Sequence, residues 1–319
     1  MIRIALVVMS CVITIAHAGA QPYPAKPVRV LVGFPPGAGI DISVRLVAAR
    51  LSETFGRQFV VDNRAGAGGN IAVETAARAT PDGYTLLGLT SGAVIAQSAY
   101  RKAPFDVAKD LTPVGMIALA PLILTAHPSV PAKSLKELVA LAKAKPGQLS
   151  YATPGTGTAP HVAGELLKLE LGIDLLHVPY KGNAPAIADV VGGNVLLSFS
   201  NILTALPQVK SGRLRPIVVT SLKRSAIAPD IPTVAESGLP GFEAGTWYGI
   251  STPAGTPRAI VDQLNAAIVK SVQLPDTREK LLAQGAEPMT GSAEQMGQFV
   301  RGEIARWAKV VKAAGIQLD

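Results

Sequence analysis

Short apolar segments alternate with longer amphipathic ones along most of the chain. Residues 28–32 (VRVLV) are apolar enough for a buried strand, and Val44, Val47, Ala48 and Leu51 then have the spacing of one helix face. Further strands are predicted over 59–61, 85–89, 150–152, 176–178, 195–199 and 215–220. Helices are predicted over 71–79, 161–171 and 184–191, and near the C-terminus from the spacing of Val300, Ile304, Trp307 and Val311. Repeated strand, loop and helix is typical of a parallel, doubly wound α/β sheet.

The first twenty residues have the pattern of a secretory signal peptide. Arg3 precedes a mostly apolar run over 4–15, and small residues suited to cleavage follow at 16–20. Cleavage is expected after Ala20, which predicts a periplasmic protein. A lipoprotein site at Cys11 is the alternative, but the residues after Cys11 stay apolar where a lipid-anchored tether would be polar.

Composition narrows the chemistry. Cys11 is the only cysteine, so its removal with the signal peptide would exclude disulfides, thiolate catalysis and cysteine-ligated metals. The formal net charge of +8 becomes +7 when Arg3 is lost. Lysines and arginines are scattered without aromatic interleaving, which predicts a solvated basic surface with mild steering of anions and no nucleic-acid partner.

The usual enzyme motifs are incomplete. Gly37-Ala38-Gly39 follows a strand as a dinucleotide-binding turn does, but Ile42 stands where the third glycine belongs, and Pro160 takes that position after residues 155–157. The chain has no Gly-Lys pair for a Walker loop and no Gly-x-Ser-x-Gly elbow. The histidines beyond residue 20 are too dispersed to predict a metal site, so no metal and no cofactor is expected. A catalytic triad assembled from distant residues stays open.

Loops rich in Gly, Ser and Thr follow most of the predicted strands. They span residues 34–41, 63–70, 90–93, 153–160 and 180–184. Ligands of open α/β sheets bind at the carboxyl ends of strands, where glycines and helix N-termini can present N–H groups to an anion. The loops therefore predict a carboxylate site that needs no arginine. The alternative is that the glycines form only tight turns and helix caps.

Several residues in and near these loops have two interpretations. Asp41 is either the N-cap of the first helix or a ligand contact, and His161 is either a packing or capping residue or a ligand contact. Lys181 is either a solvated loop residue or an anion contact. For Phe34 and Trp247 the alternatives are an apolar wall of the cleft and the protein core.

Seven short motifs give the chain a family resemblance. They are FPPG at 34–37, NRAGAGG at 63–69, PDGYTL at 81–86, GTGT at 155–158 with His161, HVPYKG at 177–182, PTVAESG at 232–238 and PAGTP at 253–257. In their number and order the sequence resembles the solute receptors of tripartite tricarboxylate transporters, the Bug-type periplasmic receptors. The resemblance extends from residue 23 to residue 316.

The resemblance implies a two-lobed periplasmic-binding-protein fold, type II-like, in which each lobe is a mostly parallel sheet flanked by helices and the ligand lies between the lobes. Crossings at 112–125 and 215–225 would place residues 21–119 and 222–319 in domain one and residues 120–221 in domain two. The implied function is a receptor that captures a small carboxylic acid and delivers it to the permease subunits of a tripartite transporter. A monomer is expected, because a lobed receptor must close freely. The alternatives are a receptor that presents the closed complex to a membrane sensor kinase, and an enzyme built on this fold.

The resemblance also assigns ligand contacts, residue by residue. The first loop contributes Phe34, Pro36, Gly37, Ala38, Gly39 and Asp41, and the facing loop contributes Thr153, Gly155, Thr156, Gly157, Thr158 and His161. Ser91 and Lys181 are further candidates. The chain departs from the family pattern at Ala38, which replaces a glycine, at Ile40, which replaces a threonine, and at Leu196, near which the family commonly has Asp. If Ile40 faced the cleft, the ligand would be expected to carry an aromatic or aliphatic body.

Overall fold

The computed structural model describes residues 23–100 and 102–317. The predicted signal peptide, residues 1–20, lies outside these ranges. The strands are β1 (Val28–Val32), β2 (Phe59–Asn63), β3 (Thr85–Thr90), β4 (Leu111–Ala126), β5 (Ser150–Thr153), β6 (Leu176–Pro179), β7 (Leu197–Asn201), β8 (Arg215–Val219), β9 (Gly245–Pro253) and β10 (Glu287–Pro288). The helices are α1 (Gly39–Phe55), α2 (Asn70–Ala77), α3 (Ser91–Ala99), α4 (Val107–Asp110), α5 (Leu135–Ala144), α6 (Ala159–Leu171), α7 (Asn183–Val191), α8 (Ile202–Lys210), α9 (Arg258–Gln273), α10 (Pro275–Ala283) and α11 (Ala293–Ala313), and Ala67–Gly69 forms a 3-10 turn.

The first sheet has the order β2-β1-β3-β9-β4. Strand β1 pairs in parallel with β2 and β3, whereas β9 runs antiparallel to both β3 and β4. Successive residues of β1 point to opposite faces, so Val30 packs in the cluster that contains Val44 of α1, and Leu31 packs in the cluster that contains Val73 of α2. Helices on both faces explain why β1 is apolar at nearly every position.

The second sheet continues from the same long strand. The last five residues of β4 pair with β7 and β8, and β5 lies between β7 and β6 with all three of those strands parallel. Strand β4 changes neighbours between Pro121, which pairs with Gly245 of β9, and Leu122, which pairs with Asn201 of β7. One continuous strand therefore joins two α/β lobes.

The chain passes between the lobes a second time after β8 and before β9. Thr220 connects this second passage to the first one, at Pro121 and Leu122, by hydrogen bonding. Its hydroxyl accepts a hydrogen bond from the backbone N–H of Leu122 (2.9 Å) and lies against the carbonyl of Ala244. The two passages are thus joined side by side within the core. The α/β class and the two-lobed fold expected from the resemblance are confirmed by this architecture and by the solved structures described below.

Candidate functional site

The loops that follow the parallel strands gather where β4 passes from one sheet to the other. In the first lobe Thr90 ends β3 opposite Tyr248 of β9, and Tyr248 pairs with Ala118 of β4 shortly before the passage. In the second lobe Asn201 ends β7 opposite Leu122, directly after the passage. Strands β1 and β5 run parallel to β3 and β7, so their carboxyl ends face the same region. Helix α6, which follows the β5 loop, also packs near α3 and β9 of the first lobe.

Asp41 fixes the shape of the first loop. Its carboxylate accepts hydrogen bonds from the Gly37 N–H (2.9 Å), from Asn63 Nδ2 (2.8 Å) and from Arg45 Nε (2.9 Å). The residue is only 2% exposed. Burial raises the pKa of Asp41, but the bonds from Arg45, Asn63 and Gly37 outweigh it, so the pKa lies below its usual value. The capping interpretation was wrong, because α1 begins at Gly39 with Ala38 as its N-cap, and Asp41 acts from within the first turn.

The first and second loops are packed backbone to backbone. A side chain at Gly33 would come 2.6 Å from the backbone of Gly69, and Gly69 has a φ of +100°, which favours glycine. The half-buried ring of Phe34 lies against Gly69. The backbone carbonyl of Phe34 accepts a hydrogen bond from Asn63 Nδ2 (2.9 Å). Phe34 therefore belongs to the contact between the two loops.

The N-terminus of α1 is left open by this arrangement. Ala38 makes no side-chain cap, and the N–H groups of Gly39, Ile40 and Asp41 have no hydrogen-bond acceptor among residues 23–100 and 102–317. Donors of this kind, at the positive end of a 17-residue helix, suit a carboxylate oxygen.

The loop after β5 leads into the N-terminus of α6, where the N–H groups of Ala159 and His161 have no acceptor among residues 23–100 and 102–317. Thr153 Oγ1 contacts Gly155, and Thr158 Oγ1 donates to the Gly155 carbonyl (2.7 Å), so the loop turns tightly. Thr156 at its tip is exposed, whereas Gly157 is buried. Helix α6 then begins at Ala159 without a side-chain cap from Thr158.

Two stacked histidines support this second loop from beneath. His161 is 6% exposed, and its ring lies parallel to that of His177, 3.8 Å away. His161 Nδ1 accepts the Gly157 N–H (3.1 Å), so its proton is on Nε2 when the ring is neutral, and His177 Nε2 lies 2.7 Å from Thr153 Oγ1. His161 thus positions the loop, which favours the packing interpretation over direct ligand contact.

Burial keeps both rings neutral. It lowers the pKa of His161 to about 4, assisted by the charge of Lys168, and it lowers the pKa of His177 to about 3, assisted by the proximity of His161. The nearby carboxylate of Glu165 is already engaged, because it accepts hydrogen bonds from Tyr151 (2.5 Å) and from Lys168 (3.0 Å). No unpaired charge of these groups is directed at the loop.

The remaining candidates lie at different depths. Ser91 begins α3 directly after β3, is fully buried, and has a hydroxyl without a partner among the described residues. Lys181 is exposed beyond β6, in a loop tied to the β5 loop by the hydrogen bond from Gly182 N to Pro154 O (3.0 Å). Trp247 is part of the core, where its indole donates to Glu303 (3.0 Å).

The departures at Ile40 and Leu196 do not alter this region directly. Ile40 is 3% exposed and packs near Val44 and Gly88, so it does not face the cleft and the condition for an aromatic or aliphatic ligand body is not met. Leu196 immediately precedes β7 and packs on the core, at the end of that strand opposite to Asn201.

Sequence reasoning missed Tyr248. A methyl group on Gly39 would come 2.5 Å from its hydroxyl oxygen, so this hydroxyl lies beside the first turn of α1. Tyr248 is far from the first loop in sequence. It lies in the segment GTWYG, where glycine and threonine interrupt the apolar pattern that would predict strand β9. No local pattern could have placed it there.

Residues 23–100 and 102–317 contain no cluster of three or more His, Cys, Asp or Glu side chains placed to hold a metal ion. Within the same residues, no helix is both long and apolar enough to cross a bilayer.

Comparison with known proteins gives consistent matches. The model of the "Tripartite tricarboxylate transporter family receptor" matches residues 43–316. Protein BugT of Bordetella pertussis is 38% identical over 305 residues, which cover 95% of this chain and 94% of that protein.

Two solved structures extend the likeness to three dimensions. Rpa4515 of R. palustris, solved with adipate, has a TM-score of 0.84 and 39% identity, covering 92% of this chain and 99% of its own. MatC from Rhodopseudomonas palustris, solved with bound malate, has a TM-score of 0.80 and 33% identity, covering 91% of this chain and 100% of its own.

Proposed function

The chain belongs to the tripartite tricarboxylate transporter receptor family, and we propose that it is a periplasmic receptor that captures a small carboxylic acid between its two lobes. It then delivers this acid to the permease subunits of a membrane transporter. It binds without chemical turnover, in keeping with relatives that are binding proteins. Export by the signal peptide over residues 1–20 brings it to the compartment where this role is possible.

One observation carries the proposal most strongly. Helix α1 of the first lobe and helix α6 of the second both begin in the region where the lobes meet, and neither has a side-chain cap. Two positive helix ends with free N–H groups can hold a carboxylate without a charged side chain. The histidine pair is neutral, and Arg45 offsets the negative charge of the Asp41 carboxylate, so neither group strongly opposes an anion at these helix ends.

The ligand class follows from the same geometry and from the relatives. Adipate and malate, bound in the two similar structures, are both small dicarboxylates. A dicarboxylate offers an anionic group to each lobe, and we therefore take this class as the ligand to test first.

Closure of the lobes around the ligand is what would allow a permease to distinguish the loaded receptor from the empty one. A ligand shifts the open and closed populations only if it binds the closed state more tightly, and contacts with both lobes provide that difference. We propose that the boundaries between the two lobes lie near residues 120 and 221. The change of strand partners in β4, between Pro121 and Leu122, supports the first of these boundaries. A monomer suits it, since each lobe then moves freely.

A thermal-shift screen of the chain from residue 21 onward tests the function. The panel holds dicarboxylates, tricarboxylates, aromatic acids, amino acids and sugars, and adipamide serves as the uncharged match for adipate. A ligand at one hundred times its Kd should stabilise the protein by about 2.7 kcal/mol, which raises Tm by several degrees. A selective response to acids is expected. A response to sugars alone, or to adipate and adipamide equally, would contradict the proposal.

A further inference from the structure

Tyr248 is buried, but its hydroxyl is not used by the protein. The residue is 4% exposed, and the hydroxyl makes no hydrogen bond within residues 23–100 and 102–317. The ring packs in the cluster beneath α1, while the neighbouring Trp247 points to the opposite face of the sheet. The hydroxyl oxygen is not among the fully buried polar atoms that lack a partner, so the ring is in the core while the oxygen stays accessible to a ligand.

The position of the hydroxyl indicates what that partner is. It is close enough to Gly39 that a methyl group there would lie only 2.5 Å from the hydroxyl oxygen and 3.2 Å from the ring carbon that carries it. Gly39 is the first residue of α1, whose N–H groups at Gly39, Ile40 and Asp41 also lack acceptors in the described ranges. One hydroxyl and three amides therefore surround the same small region.

All these groups donate hydrogen bonds. Burial alone raises the pKa of Tyr248, so the hydroxyl keeps its proton throughout the physiological range. A carboxylate oxygen is a suitable acceptor for such a set, whereas an ammonium group or the NH2 of an amide would bring further donors to it.

We infer that the Tyr248 hydroxyl donates a hydrogen bond to the ligand carboxylate held at the N-terminus of α1, and that Tyr248 is thereby a specificity-determining residue. The inference rests on the proposed function. It also explains why position 39 is glycine, because a larger residue would displace the hydroxyl or the helix end.

The variant Tyr248→Phe tests the inference by calorimetric titration with adipate and malate. Loss of a hydrogen bond to a charged group should weaken the tighter of the two by about ten- to a hundred-fold. The Tm of the ligand-free variant should change little, because the hydroxyl makes no hydrogen bond with the described residues that the substitution could remove. Tyr84→Phe is the matched control. The Tyr84 hydroxyl accepts the Ala25 N–H (2.9 Å) just before β3 begins, near the C-terminal end of α1 and remote from Gly39, so the affinity of this control variant should not change.

Gly39→Ala, made in the wild-type and in the Tyr248→Phe background, tests the inference even if one single variant folds poorly. Gly39→Ala should weaken binding in the wild-type background, where its methyl group meets the hydroxyl. In the Tyr248→Phe background the nearest ring atom is 3.2 Å away, so the same substitution should have a much smaller effect.

The outcomes separate this inference from the proposed function. If wild-type protein binds a dicarboxylate and Tyr248→Phe binds it equally well, the inference is wrong and the receptor function stands. A parallel fall in affinity and in ligand-free Tm would show a structural role for Tyr248 and would also overturn the inference. If wild-type protein binds no carboxylate at all, the proposed function itself fails.

Discussion

His161 and His177 are buried side by side, and their neutrality has a consequence for stability. The pKa of His161 is lowered to about 4 in the folded protein, against 6.5 for an ordinary histidine. Between these values the unfolded chain binds the proton and the folded protein does not. Stability must therefore fall as the pH drops from about 6.5 to about 4, and this histidine adds no further loss below that range.

The variant His161→Asn makes this effect measurable. An asparagine oxygen can replace Nδ1 as the acceptor for the Gly157 N–H, but the amide does not titrate. We expect urea midpoints of wild-type protein to fall by the equivalent of roughly 1–3 kcal/mol between pH 7 and pH 4.5, and those of the variant to fall less. Equal slopes for the two proteins would contradict the account.

The limits of sequence reasoning are clearest at single residues. Asp41 and Gly37 could be assigned to the first loop from spacing and glycine content alone. The i,i+4 spacing of Asp41 and Arg45 is local, but the bond from Asn63 to Asp41 depends on where β2 brings the second loop, which no local pattern contains. Tyr248 was missed for the same reason, because β9 enters the first sheet from a distant part of the chain.

Three elements show where local sequence signals differ from the structure. The sequence predicts only a crossing between domains over 112–125, but this segment lies within the 16-residue strand β4. Pro113, Gly115 and Pro121 interrupt the apolar pattern from which a strand would be predicted. Helix α8 was not predicted, because it contains Pro207. The predicted strand over 195–199 is shifted and runs from Leu197 to Asn201. Strand β1, apolar and buried on both faces, was predicted with its observed ends.

Helix α11 is attached to the first sheet by one buried carboxylate. Glu303 Oε2 accepts hydrogen bonds from the indole N–H groups of Trp247 (3.0 Å) and Trp307 (2.8 Å). The variant Glu303→Leu would leave two buried donors unsatisfied, so we expect the free energy of unfolding to fall by about 2–6 kcal/mol. Urea denaturation followed by far-ultraviolet circular dichroism measures this.

The same substitution at Glu294 is the control for that experiment. Glu294 lies on the exposed side of α11 and forms a surface ion pair with Arg258 (3.1 Å). Its loss should cost less than about 1 kcal/mol. Similar losses for the two variants would mean that the buried carboxylate does not hold the helix.

The whole molecule has one strand in common to two lobes and open helix ends where they meet. Strand β4 and Thr220 connect the two lobes. The loops of one lobe face the loops of the other lobe near this connection. The scattered basic charge of the chain adds mild attraction for anions in solution. Such a molecule suits capture and release, because only a ligand that touches both lobes can stabilise closure.

Hydrogen–deuterium exchange with and without the tightest-binding dicarboxylate would show whether a carboxylate is held between the lobes, since it reports on the N–H groups assigned to the ligand. We expect slower exchange in peptides that cover 33–41 and in peptides that cover 153–161, with helix α9 (Arg258–Gln273) unchanged as the internal control. Protection of both loops would support a carboxylate held between the lobes. Protection of one loop alone, or of neither while the ligand is bound, would contradict it.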